Sequence, residues 1–210
     1  MIPLAQAVRD IFANVDPQFQ AYVDRLPERV TCTKGCAACC ELLALITWPE
    51  AALIAETLRE QGLVERFLSK LLEQAKQSDF EGLDQESYWI RRIPCAFLGD
   101  DRLCQIYDVR PGTCRYHVAF SAPELCSIRP SGTVRQLDEG PIIAQALGPL
   151  LIEARKEAGP AMEQAGPIPI MVLAALNSLG EGIPECIAPG EWLRRYGARV
   201  RAVNREARTP

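Results

Sequence analysis

Apolar side chains recur at every third or fourth position through much of this chain, and that spacing predicts helices. At the start, the pattern predicts two short helices over residues 4–13 and 17–26. Asp16 followed by Pro17 favours a boundary between them, because aspartate caps a helix N-terminus well and proline is tolerated in the first helical turn. The chain is therefore expected to begin with a pair of helices.

A further helical region is predicted from Thr47 onward. The stretch TWPE at 47–50 has the pattern of a capping box, in which the threonine and the glutamate each accept a backbone N–H of the first turn. The helix should run to about Gln61, break at Gly62 and resume over 63–77. Two consecutive helices are expected here.

One hairpin is predicted in the middle of the chain. Two short apolar runs flank the turn signal GDD at 99–101, so the hairpin places Cys95 and Cys104 near its two ends. Pro111 then favours the start of a short helix that carries Cys114. The segment thus brings three cysteines toward one region.

The last third of the chain again has a helical pattern. Residues 139–157 show an apolar stripe that Pro149 kinks or splits, and residues 168–179 are apolar nearly all round, as in a buried helix. Alternating strand–helix units are missing from the sequence pattern, which argues against a doubly wound sheet. We predict a single domain over 1–210, with a cysteine-rich core at about 30–130 and a helical portion at about 139–208.

Composition and charge narrow the class of protein. With 48% hydrophobic and 24% charged residues among 210, the chain resembles an ordinary globular protein. Its net charge of −4 gives no footprint for nucleic acid or for an anionic membrane, so both are unlikely partners. Six arginines against two glutamates between 191 and 210 leave an acidic protein partner open, although the solvated face of a last helix explains these charges better. Neither a secretory signal nor an apolar membrane span is seen, and we predict a cytoplasmic protein.

Cysteine is the unusual residue of this sequence, which contains nine. Eight of them fall between 32 and 126, four close together and four widely spaced, and four thiolates complete one zinc site or ligate one iron–sulfur cluster. Cys186 stands apart. We therefore predict that metal is bound by Cys32, Cys36, Cys39, Cys40, Cys95, Cys104, Cys114 and Cys126.

Cysteines also form disulfides, carry out thiol redox chemistry or act as small buried apolar residues. A disulfide scaffold needs an oxidising compartment and usually a small chain. A thioredoxin-like redox pair at Cys36 and Cys39 needs a strand–helix context that the neighbouring sequence does not supply. Burial as an apolar thiol accounts for Cys186 better than for the other eight. Because Cys39 and Cys40 are adjacent, we also expect that at least one of the eight is not a simple metal ligand.

These motifs resemble the YkgJ-type cysteine-cluster family, known by its CxxCxxCC motif and described as zinc- or iron-chelating. The first half reads CTKGCAACC over 32–40, and the second reads CAFL from Cys95 and CQIYDVRPGTCR over 104–115. Ala96 departs from the usual proline of the family. The resemblance covers roughly 30–130 and implies a metal or iron–sulfur centre. The pattern of the whole chain predicts a mainly α fold with a small β-hairpin, in which the helices pack around that centre.

Function is less defined than metal binding. Irregular spacing of the second four cysteines favours an iron–sulfur cluster over zinc, in a redox, sensing or structural role. Some relatives are flagellin lysine methylases, so the resemblance also implies protein lysine N-methyltransferase activity as an alternative. No nucleotide-binding glycine motif occurs, and catalytic residues are not assigned. His117 is a candidate extra ligand or proton relay, although an ordinary hydrogen-bonded histidine explains it as well.

Overall fold

The computed structural model describes residues 4–79, 92–127, 134–137, 145, 148–149 and 165–183. The fold is mainly helical, as the sequence predicts, and its described part contains a two-stranded antiparallel sheet. In chain order, the elements bounded within this part are α1 Leu4–Val23, β1 Leu45–Thr47, α2 Trp48–Glu60, α3 Val64–Asp79, α4 Gly112–Arg115, α5 Pro123–Ser127, β2 Ala165–Pro167 and α6 Ile168–Ser178. Two 3-10 turns occur at Ala38–Glu41 and Tyr107–Val109.

The N-terminal region forms one helix, so the predicted boundary at Asp16 and Pro17 is wrong. Pro17 lies inside α1 and removes one backbone hydrogen bond, at a cost of roughly 3 kcal/mol in an ideal helix. Val15 and Phe19, on either side of it, both pack against the hydrophobic core and hold the helix together. Asp16 does not cap a helix here, because its carboxylate pairs with Arg115.

The predicted break between α2 and α3 is confirmed. Thr47 caps α2, and its backbone N–H donates to Oε2 of Glu50 at 2.8 Å, as in a capping box. α2 ends at Glu60, and Gly62 adopts a φ of +65°, a conformation that favours glycine. Local sequence signals therefore suffice to place both helices.

The two β-strands come from distant parts of the chain. β1 pairs with β2 in an antiparallel arrangement, with Leu45 opposite Pro167 and Thr47 opposite Ala165. The predicted hairpin is shorter than expected: Leu98 and Cys104 form an isolated antiparallel bridge outside the named strands. The sheet thus connects the cysteine-rich region to α6, while the hairpin is a tight turn.

The hydrophobic core lies where the long helices meet. α6 is buried over most of its surface and packs against α2 and α3, as expected for the apolar stretch at 168–179, while α1 packs against α2. Cys95, Cys104 and Cys114 are partly buried against this core. The thiols therefore form an edge of the core and are not on a detached surface loop.

Most of the predicted helical portion at 139–208 lies outside the described residues, as does Cys186. Of the stripe at 139–157, only residues 145 and 148–149 are described. The single-domain organisation stays a prediction. Among the described helices, none combines the length and apolar character required to cross a membrane.

Candidate metal centre

Six of the eight candidate cysteines line one cavity of about 100 Å³. We call it the cysteine cavity. Apolar residues such as Phe97, Ile106 and Ile168 form much of the remaining wall. The six thiols come from the 36–40 loop and from the 95–114 segment, so the two stretches that the sequence predicts to converge do meet here. They are Cys36, Cys39, Cys40, Cys95, Cys104 and Cys114.

The remaining two cysteines lie beside this cavity. Cys32 Sγ accepts the backbone N–H of Ala119 at 3.1 Å. Cys126 lies on α5, which packs against the turn at Ala38–Glu41. Burial raises the pKa of Cys126, and negative charge on Cys32, Cys39 and Cys36 raises it further. Cys126 therefore belongs with the first four cysteines in space, whereas sequence spacing groups it with the other three.

The loop that carries the first four cysteines is fixed by backbone contacts. Gly35 adopts a φ of +92°, which a side-chain-bearing residue rarely does, and closes the turn between Cys32 and Cys36. The Thr31 N–H donates to the Ala119 carbonyl at 2.8 Å. At the far end, the Cys95 N–H donates to the Cys40 carbonyl at 2.7 Å. The two halves of the motif are thus hydrogen-bonded to each other.

A tight turn positions Cys104 relative to Cys95. The Gly99 N–H donates to the Leu103 carbonyl at 2.9 Å, and Asp101 Oδ1 accepts the Leu103 N–H at 3.0 Å. This aspartate contact is typical of turns, because the short side chain bonds to the backbone two residues on. The turn signal in the sequence therefore does place both cysteines in one cavity wall.

Glu50 joins the start of α2 to the start of α4. Its side chain is buried, Oε2 accepts the N–H and the hydroxyl of Thr47 at 2.8 and 2.6 Å, and Oε1 accepts the Gly112 N–H at 2.7 Å. A carboxylate is favourable at a helix N-terminus, where backbone N–H groups lack partners. Glu50 thereby fixes the short helix that carries Cys114, a role the sequence does not reveal.

Arg115 holds α4 from its other end. Its Nη1 contacts Asp16 Oδ2 of α1 at 2.6 Å, and its Nε donates to the Arg110 carbonyl at 3.3 Å. A further hydrogen bond runs from Nη2 to the Asp108 carbonyl. The guanidinium also lies over the Phe12 ring. Two contacts therefore position the helix that carries Cys114: Glu50 of α2 accepts the Gly112 N–H, and Asp16 of α1 pairs with Arg115.

Burial dominates the protonation of the thiols. It raises the pKa of Cys95 to about 11, and it raises the pKa of Cys114 well above the ordinary thiol value. Burial raises the pKa of Cys32 and Cys104 as well, while backbone hydrogen bonds from Ala119 and Ile106 offset part of that rise. These thiols of the metal-free protein are consequently protonated near neutral pH.

Cys39 is electrostatically central among the cysteines. A hydrogen bond to Cys40 is the largest cause that raises the pKa of Cys39, followed by burial. In turn, a negative charge on Cys39 adds to the effect of burial and raises the pKa of five other thiols: Cys32, Cys95, Cys104, Cys114 and Cys126. Cys39 also lines the cysteine cavity together with thiols of both stretches.

We expect the metal-free protein to lose stability as pH rises from about 9 to about 11. The folded pKa of Cys95 is raised from 9.0 to about 11, so this thiol stabilises the fold fully below pH 9.0 and loses that contribution as pH rises through the folded value. Urea unfolding of wild type and Cys95→Ala across this range measures the effect, because titrations common to both proteins cancel. Equal pH dependence in the two proteins would contradict the expectation.

The donor set fits a thiolate-bound metal. Within the described residues, no three histidine, cysteine, aspartate or glutamate side chains already lie in an arrangement that could hold one ion. The chemistry of the cavity nevertheless favours such a group, since its polar lining is mostly sulfur. Arg110, in the cavity wall, has a buried Nε–H without a hydrogen-bond partner. A thiolate or sulfide acceptor would satisfy this donor.

A second cavity, of about 600 Å³, adjoins the first. We call it the outer pocket. Tyr107, Arg110 and Cys114 line both cavities, and Cys32 lines only the outer pocket. Charged residues of its wall come from α1, the cysteine loop and α4, and no sequence signal indicates that they meet. They are Asp16, Lys34, Arg110 and Arg115, with His117 beside them.

Comparison with known families accounts for this arrangement. The matching family model is that of CxxCxxCC, described as "Putative zinc- or iron-chelating domain". The match covers residues 31–131, which we call the CxxCxxCC domain. The resemblance carried by the motifs is thereby confirmed. No curated protein and no solved structure matches the chain.

The limits of the CxxCxxCC domain enclose all eight candidate ligands and also Glu50, Arg110 and Arg115. The match supports metal binding by this domain, whereas the set of cysteines that bind the metal directly stays a prediction. Several residues that line the two cavities lie outside the domain limits, among them Asp16 on α1 and Ile168 on α6. The CxxCxxCC domain thus depends on neighbouring helices for part of its surroundings.

Proposed function

We propose that this protein holds an iron–sulfur cluster on its CxxCxxCC cysteines and uses it in a redox or sensing role. The observation that supports this most is the cysteine cavity, in which six thiols from separate stretches face one mainly apolar space. Iron–sulfur clusters are held by thiolates and, being larger than one ion, gather them from separate stretches of chain. Loading would draw the sulfurs closer together than they lie in this structure.

Hydrogen bonds to sulfur also support the proposal. Cys32 Sγ already accepts a backbone N–H, and Arg110 offers a buried unpartnered donor in the cavity wall. Donors of this kind, together with burial, set the reduction potential of a bound cluster. When bound, the cluster would supply one-electron chemistry, while the chain would hold it, exclude water and balance its negative charge.

The metal is identified by analysis of protein purified under anaerobic conditions. We expect iron and acid-labile sulfide in comparable amounts, with a broad visible absorbance that dithionite bleaches. Zinc in a colourless protein, without sulfide, would overturn the iron–sulfur assignment and leave a zinc site on the same cysteines. Cobalt substitution would then report whether that zinc is held by four thiolates.

Methyl transfer to a protein lysine is the second candidate. The outer pocket favours it, because an enzyme needs an open, charged space beside the centre and a purely structural site does not. S-adenosylmethionine added to the metal-loaded protein should then raise its melting temperature in a saturable way. An unchanged melting temperature at millimolar cofactor would count against methyl transfer and leave the electron-transfer role.

A further inference from the structure

The outer pocket is large enough for a small molecule and touches the metal centre. Its volume of about 600 Å³ falls within the range of ligand pockets, roughly 300–1,000 Å³. It shares Tyr107, Arg110 and Cys114 with the cysteine cavity. A molecule bound in the outer pocket would therefore lie against the wall that carries Cys114.

The charges around this pocket are unbalanced. Three cationic side chains, Lys34, Arg110 and Arg115, face one carboxylate, that of Asp16. Arg115 and Asp16 neutralise each other through their 2.6 Å contact. In the described part of the chain, neither Lys34 nor Arg110 has a carboxylate within ion-pair distance. Two positive charges consequently remain without a carboxylate partner.

Tyr107 holds these two cations near one place. The Arg110 guanidinium lies 3.8 Å from the centroid of the Tyr107 ring, and Lys34 Nζ lies 5.4 Å from it. Cation–π attraction stabilises each contact, while the two like charges repel each other. An anion placed between them would remove that repulsion and gain charge-assisted hydrogen bonds.

The positive charges of Lys34 and Arg110 do not both lie beside the cysteine cavity. Arg110 lines both cavities, so its charge faces the thiols as well as the outer pocket. Lys34 lines the outer pocket and is not part of the cysteine cavity wall. The charge of Lys34 is therefore available to an anion bound in the outer pocket.

We propose that the outer pocket binds a small molecule that carries a carboxylate or phosphate group, and that Lys34 and Arg110 contact its anionic oxygens. Binding as such needs only the pocket. That the bound anion acts on, or is changed by, the metal centre rests on the proposed function, because only the shared wall at Cys114 connects the two.

The test titrates inorganic phosphate, and in a second arm succinate, into the metal-loaded full-length protein at constant ionic strength. We expect at least one of the two to raise the melting temperature in a saturable way that chloride does not reproduce. Lys34→Gln should weaken the apparent affinity about tenfold, since it removes one charge-assisted contact. Lys70→Gln, an exposed lysine on α3, is the matched control and should bind as wild type does.

Two results would overturn the proposal: equal effects of chloride, phosphate and succinate, or unchanged affinity in Lys34→Gln. Stronger binding of phosphate or of succinate tells which oxyanion the pocket prefers. Iron content and visible absorbance of the same samples separate this inference from the proposed function. If the wild-type protein shows the absorbance of a cluster but no saturable anion binding, the anion-binding proposal alone is refuted. If the protein is colourless but binds anions in a way that depends on Lys34, the iron–sulfur assignment alone is refuted.

Discussion

Cys39→Ala is expected to weaken metal binding about tenfold or more, and so to lower the metal content per chain, because Cys39 lines the cysteine cavity with thiols of both stretches. Its side chain lines one cavity with Cys95 and Cys114, so its loss affects every arrangement of ligands that joins the loop to the 95–114 segment. Changes even in residues that only support metal ligands commonly cost ~10–100-fold in affinity. Elemental analysis and visible absorbance of the purified variant measure the loss.

Cys186→Ala provides the matched control, because it removes a thiol that lies outside both the CxxCxxCC domain and the predicted ligand set. It should keep the wild-type metal content. A Cys39→Ala protein with full metal content would show that Cys39 is not a required ligand. Cys39 would then be the member of the adjacent pair that does not bind metal, as the sequence suggests for at least one cysteine.

Glu50→Ala should destabilise the protein by about 3 kcal/mol, because a buried donor that loses its acceptor costs about 1–3 kcal/mol and this change affects three. The donors are the N–H and hydroxyl of Thr47 and the N–H of Gly112. Thr47 is partly exposed and regains some hydration, whereas Gly112 is buried. Urea denaturation of the metal-free protein gives the change in the free energy of unfolding.

Glu60→Ala is the control for this change, because it removes a carboxylate from the exposed end of the same helix. Oε2 of Glu60 lies 3.8 Å from Nη2 of Arg9, and such an exposed ion pair contributes at most ~1 kcal/mol to the free energy of unfolding. We therefore expect a change below about 0.5 kcal/mol. Similar effects of the two substitutions would show that Glu50 does not bridge α2 and α4 in solution. Glu50→Ala should also weaken metal loading, since Gly112 begins the helix that carries Cys114.

The sequence predicts those parts of the fold that depend on neighbours along the chain. Apolar spacing and the capping box place α2 and α3, and the turn signal at 99–101 brings Cys104 back toward Cys95. The local signal at Pro17 is misleading, because packing of its flanking residues against the core outweighs the local cost of proline in α1. Local signals are thus sufficient until a tertiary contact competes with them.

In the candidate site, too, the sequence predicts what depends on local signals and misses what depends on tertiary contacts. Spacing and family resemblance select the eight cysteines, but spacing does not show that Cys126 returns to the first loop. Glu50 has a local signature at Thr47, while its contact with Gly112 spans 62 residues. The pairing of Asp16 with Arg115 spans 99 residues. Such partners are set by how helices pack, and no pattern in a single sequence records them.

Because β1 pairs with β2, the packed structure extends beyond the residues that match the family model. The CxxCxxCC domain ends at 131, yet β1 inside it is completed by Ala165–Pro167, and α6 directly after that strand covers the apolar faces of α2 and α3. A fragment cut at the domain limits would leave those faces in water and the edge of β1 unpaired, which favours aggregation. The residues that match the family model are therefore fewer than the residues that pack together in this fold.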